Sequence, residues 1–139
     1  MAFITPKTDW KPTDFINYSD YNRIVNNLYE LKELAYEVLN VGTSFRPMQN
    51  VDSFLDVPTA QMYNNIEQNL YVLSEATYKF PIGVGARFNP NSNYIDYTEL
   101  NRIESAILKI YKTLIAQEAI RPHLAIQLGG GKEFLVARN

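Results

Sequence analysis

The chain has 139 residues, a net charge of −2, 46 % apolar and 13 % aromatic residues, ten of them Tyr, and no Cys. That length fits one domain, residues 1–139, with one modest core. The charge balance offers no basic excess to collect phosphates, so nucleic acid is not expected as a partner, and the missing Cys excludes a disulfide framework, a thiolate nucleophile and a Cys-ligated zinc.

The first element is announced by Trp10-Lys11-Pro12 and then Phe15-Ile16-Asn17. Pro12 keeps the approach extended, Asn17 is a good N-cap, and Asp20 three residues later gives a weak capping box. The Phe15-Ile16 pair before the cap reads as a hydrophobic staple. Beyond it, Tyr21, Ile24, Leu28, Leu31, Ala35 and Val38 recur at spacings of three and four, which predicts a helix over 18–40 with Gly42 fitting its end.

The second element repeats the first. Phe45-Arg46-Pro47 and Phe54-Leu55-Asp56 precede a stripe of Met62, Ile66, Leu70, Leu73 and Ala76, so a helix is predicted over 58–78, with Asp56 as its N-cap and Pro58 in its first turn. The third has Phe88-Asn89-Pro90 and Tyr94-Ile95-Asp96, then Leu100, Ile103, Ile107, Ile110 and Leu114. It predicts a helix over 97–120, capped by Asp96 with Glu99 completing a capping box and stopped by Pro122. The stretches between, 41–53 and 77–93, are rich in Gly, Pro and Asn and read as loops. His123–Leu128 and Glu133–Ala137, around Gly129-Gly130-Gly131-Lys132, predict a C-terminal β-hairpin over 123–138.

The fold expected is therefore mainly α: a three-helix bundle of three divergent loop-helix repeats, about 9–41, 44–78 and 87–120, plus that hairpin. The repeats align on Asn22, Asn64 and Asn101, each followed two residues later by Ile; copies one and two also share Asn27/Asn69 and Tyr29/Tyr71, and copies one and three share Arg23/Arg102. Asn is a mediocre helix residue, yet all three aligned Asn sit one turn inside a helix start. Its amide has two donors and an acceptor, enough to hold a loop backbone from both sides, so Asn22, Asn64 and Asn101 are expected to clamp the incoming extended segments, with Arg23 and Arg102 pairing a carboxylate or holding a carbonyl. Trp10, Phe45, Phe88, Tyr29, Tyr71 and Phe134 are the candidate contacts with other chains.

Catalytic readings find little footing. Gly129–Lys132 lacks the Ser/Thr and the following helix of a phosphate loop. His123, the single His, cannot form a multi-His metal site, and no G-x-S-x-G nucleophile motif accompanies it. Asp52/Asp56 and Glu30/Glu33 pair by spacing alone, and the second pair reads as a solvated helix face. The expectation is a non-enzymatic protein without cofactor or metal.

The run Asp-Trp-Lys-Pro-Thr-Asp-Phe-Ile-Asn-x3-Tyr-Asn-Arg-Ile-x2-Asn, residues 9–27, resembles segments of small tail and baseplate virion proteins of tailed bacteriophages of Gram-positive hosts. The resemblance covers residues 9–34 best and 90–112 second. It implies a virion component near the tail or baseplate, made in the host cytoplasm, that works by assembly among other virion proteins as a homo-oligomer or ring. A prophage-derived tail-like particle would look the same, and the family offers no catalytic residues to carry over. The alternatives are a Tyr-rich module binding a cell-wall glycan or a receptor-binding protein, and a small intracellular binder of a host protein. Neither a signal-peptide h-region nor a membrane-spanning run is read in the sequence.

Overall fold

The computed structural model describes residues 2–51, 59–79, 82 and 96–129. Three helices make up its regular structure: α1 (Tyr18–Leu39), α2 (Ala60–Ala76) and α3 (Tyr97–Gly129), with no strand among the described residues.

The starts of the helices obey one rule. Each N-cap stands five residues before the aligned Asn: Asn17 before Asn22, Thr59 before Asn64, Asp96 before Asn101. Asn17 Oδ1 accepts from the Ser19 and Asp20 backbone N–H, and Asp20 Oδ2 accepts from Asn17 N at 3.0 Å, so this capping box is complete. Asp96 Oδ1 accepts from Glu99 N at 3.0 Å, while the Glu99 carboxylate is engaged by Arg102. For α2 the expected cap, Asp56, gives way to Thr59, whose hydroxyl accepts from Met62 N at 3.2 Å; the constant offset from Asn64 selects Thr59, and Asp56 itself lies outside the described residues.

Two further expectations are corrected at the ends of α1. Ile16, in the position before the cap, packs against the core, but Phe15 is 92 % exposed and takes no part in a staple. At the C-terminal end the left-handed residue is Asn40, at φ 57°, rather than Gly42; its N–H donates to Tyr36 O at 2.9 Å, a conformation Asn tolerates because its side chain bonds locally. The third helix also runs past Pro122 to Gly129, across the stretch read as the first strand of the hairpin. Extending an existing helix adds one bond per residue, so α3 continues beyond the stop expected at Pro122. The expected turn and second strand, from residue 130 on, lie outside the described residues.

Numbered from the aligned Asn, the three apolar stripes coincide. One residue before it stand Tyr21, Tyr63 and Leu100; two after it Ile24, Ile66 and Ile103; six after it Leu28, Leu70 and Ile107; nine after it Leu31, Leu73 and Ile110. All twelve are buried. The steps of three and four are those of a coiled-coil seam. Equivalent positions also meet across helices: the Tyr21 and Tyr63 rings make an edge-to-face contact at 5.6 Å and 87°. The helices are thus parallel around a common axis, with like residues sharing a layer. Parallel helices need return segments as long as themselves, which explains the long stretches between them.

Candidate functional site

Two return segments show how the loops are held. Segment 45–51 descends α1: the Lys32 ammonium lies over the Phe45 ring at 5.4 Å, Tyr29 Oη accepts from Met48 N at 3.0 Å, and Asn22 takes Val51. Segment 2–10 descends α3 between the same two levels, with one residue more between its clamped positions. Phe3 stacks on Tyr111 at 3.8 Å, Glu104 accepts from Lys7 N at 3.1 Å, and Asn101 takes Trp10. Lys32 and Tyr111 both stand ten residues beyond their aligned Asn.

The clamp itself is bidentate. Asn22 Oδ1 accepts from Val51 N at 2.8 Å and its Nδ2 donates to Val51 O at 2.7 Å. Asn101 does the same to Trp10, at 2.8 and 3.0 Å. A second pair, Asn27 and Asn69, holds Ile4 (2.8 and 2.7 Å) and Arg46 (2.7 and 2.9 Å), each residue 23 positions upstream of its Asn. Asn27 and Asn69 are fully buried. An extended backbone laid on helices has no neighbouring strand to bond; the Asn amide stands in for one peptide unit of that strand. Each segment is therefore pinned twice, once to the helix it leads into (α2 for 45–51, α1 for 2–10) and once to a neighbouring helix (α1 and α3 respectively), and so bridges the groove between them.

Asn64 occupies the aligned position on α2 and is engaged as well. Copy three carries Ala106 where Asn27 and Asn69 stand, so the second clamp is not repeated there.

The two Arg extend the same logic to ion pairs between helices. Arg23, one residue after its Asn, reaches Glu104 on α3, three residues after its own: Nε to Oε1 at 2.8 Å and Nη2 to Oε2 at 2.7 Å. Arg102, in the equivalent place on α3, pairs with Glu67 in the equivalent place on α2, and its Nη1 donates to Ile82 O at 2.9 Å. The remaining pair of positions, on α2 and α1, holds Asn65 and Val25.

Glu104 is the most deeply committed charge among the described residues. Its side chain has 0 % exposure, and besides the Arg23 fork and Lys7 N it accepts the Trp10 indole N–H at 2.7 Å. Arg23 also gives Nη1 to Asp20 Oδ1 at 2.9 Å. The Glu104 hydrogen bonds, and then the two carboxylate charges, hold the Arg23 guanidinium above its ordinary range against the cost of burial. The network thereby joins the cap of α1, the body of α3 and the incoming segment. Glu67 behaves differently: burial pushes its carboxyl above the usual carboxylate range, ahead of the opposing pull of Arg102.

Of the six residues read as contacts with other chains, three pack within the chain. Trp10 is buried because its indole serves Glu104, and Phe45 and Tyr29 are half-buried with ring centroids 5.9 Å apart. Tyr71 does stand out, at 53 % exposure; Phe88 and Phe134 lie outside the described residues. Among the described residues no helix is long and apolar enough to cross a membrane.

Sequence reading missed the second clamp pair and Glu104. Asn27 and Asn69 were visible as a repeat, and the signal for the ion pairs was Arg at one offset and Glu at another in complementary copies. Compared with family models, curated proteins and solved structures, the chain matches none.

Proposed function

We propose that the chain is a non-enzymatic structural adaptor of a phage tail or baseplate, or of a prophage-derived tail-like particle, present in several copies and joining other virion proteins. The observation that carries the reading is the repeated clamp-and-helix unit. Its Asn, Arg and Glu residues, the polar groups the sequence repeats, bond the chain's own backbone and helices. Polar residues used this way build a rigid spacer that presents ends and faces, the work of an assembly part. The resemblance over residues 9–34 supplies the setting.

The test is mass spectrometry of density-purified particles with copy number. A fixed stoichiometry in particles supports the adaptor; abundant protein in the lysate with none in particles refutes it. Exposed Tyr36 and Tyr71, at 61 and 53 %, favour the glycan-binding module as the second reading. It would be checked by quenching of Tyr fluorescence on titration with cell-wall saccharide.

A further inference from the structure

The three units close into a ring, and the joints differ in kind. The groove between α1 and α2 is bridged by segment 45–51, which lies within the covalent link between those two helices. The groove between α3 and α1 is bridged by segment 2–10, which reaches α3 only through non-covalent contacts spanning more than 90 positions of sequence: Lys7 and Trp10 to Glu104, and Trp10 to Asn101. This joint can open without unfolding a helix.

Opening it and leaving it empty is costly. Asn27 and Glu104 are fully buried and would lose their partners in segment 2–10, and the Tyr111 ring would lose its stack on Phe3. A groove built this way has to be refilled, and the segment that fits it is another copy of residues 2–10: an aromatic for Tyr111, a backbone for Asn27 one residue on, and a Trp for Glu104 and Asn101 six residues after that.

The hinge permits this. Residues 11–14 form a turn held by Asp14 N to Lys11 O at 3.0 Å and Lys11 N to Asp14 Oδ2 at 2.9 Å, the latter exposed, and the adjoining Phe15 is 92 % exposed. Apart from the Lys7–Asp14 ion pair at 3.6 Å, the hinge favours the segment's own groove over another copy's only by proximity.

We propose that segment 2–10 is an exchangeable arm, which in a second copy of this chain occupies the α3–α1 groove that it fills here. The contacts inside the groove are identical in both forms, so the balance is set by concentration. A short flexible tether gives an effective concentration on the order of millimolar, so exchange dominates only where copies are crowded to that level. Such crowding is met when copies sit side by side in an assembly. The proposal does not depend on the virion reading.

The test uses two singly labelled full-length chains: donor dye at Ala2→Cys, on the arm, and acceptor dye at Lys112→Cys, an exposed position on α3 beside it. The absence of native Cys makes labelling specific. The mixture is unfolded and refolded together at roughly millimolar concentration, then diluted. Exchange predicts sensitised acceptor emission that persists after dilution and decays slowly, as arms return. No transfer, or transfer lost within the mixing time, overturns the proposal. A second variant, deletion of residues 12–14, shortens the hinge so that the arm cannot fold back onto its own groove. It should sediment as an oligomer with Trp10 buried by fluorescence, and a folded monomer would overturn the proposal equally.

Discussion

Replacing Glu104 by Gln tests the centre of the structure. The carboxylate accepts four hydrogen bonds at 0 % exposure: two from Arg23, one from the Trp10 indole and one from Lys7 N. Gln keeps the shape but has one acceptor oxygen and sets an NH2 group among donors. At least one of the Arg23 and Trp10 N–H groups is orphaned, and Arg23, only 15 % exposed, keeps Asp20 alone as its counter-charge. Breaking a buried pair by removing one partner costs about 3–5 kcal/mol. Because Asp20 remains, the lower end applies, about 3 kcal/mol. Urea unfolding followed by the emission of Trp10, the single Trp, reads both the stability and the local environment. The same substitution made in an Arg23→Met background should cost clearly less, since no guanidinium is then left uncompensated. A loss below about 1 kcal/mol, with Trp10 emission unmoved, would refute the view that this carboxylate ties segment 2–10 to α1 and α3.

Four other outcomes follow from the same geometry. Asn22→Ala, Asn101→Ala, Asn27→Ala and Asn69→Ala should each cost about 1–3 kcal/mol by orphaning a backbone N–H and C=O; thermal melts unchanged in all four would dismiss the clamps. Glu67→Gln should be much milder than Glu104→Gln at pH 7. Because the folded Glu67 value is raised, its contribution is present below the ordinary carboxylate value and lost as pH rises through the folded one. The stability of the parent relative to Glu67→Gln should therefore improve on acidification from pH 7, and the opposite slope in paired urea titrations would reverse the assignment. Burial pushes Tyr21 and Tyr63 up to about 12, so the stability they lend is full below the ordinary Tyr value and lost as pH rises through 12. An ultraviolet titration should show a late-ionising class of Tyr that loses two members in Tyr21→Phe/Tyr63→Phe. Thr59→Ala should cost about 1 kcal/mol as a lost N-cap, measurable by helical ellipticity on heating.

Much of this arrangement can be read from the sequence because it is written more than once. The helices announce themselves through the three-and-four spacing of Ile24, Leu28 and Leu31 and its copies, and the odd persistence of Asn at one offset asks for a role that a helix face alone does not provide. Where the reading fails, it fails on register. Matching Phe45 to Trp10 by their shared aromatic-x-Pro sequences misplaces the segments: in the structure Phe45 corresponds to Phe3, each one residue before the backbone that Asn69 or Asn27 holds, while Trp10 corresponds to Val51. Pro patterns mark where a helix cannot be, but not which residue of an extended stretch faces which amide. Asp56 reads as a cap from its side chain alone, and Thr59 goes unread, although the distance to the aligned Asn is the stronger constraint once a helix must enter its layer in phase. Glu104 was invisible as a pair because its partner Arg23 lies in another copy, and only the parallel packing of like layers brings the two offsets together.

The parallel layers have a consequence for how such a bundle changes over generations. In a trimer of identical chains, any substitution at a layer or a joint is felt three times, so a joint cannot be weakened without weakening all. Here each unit is inherited separately. The joint carrying Asn65 and Val25 has no counterpart of the Arg–Glu pair that the other two retain, and copy three has Ala106 in place of a clamp, while the apolar layers remain continuous. Because the three helices belong to one chain, each side of the bundle can carry its own residues and face a different neighbour, which symmetry would forbid.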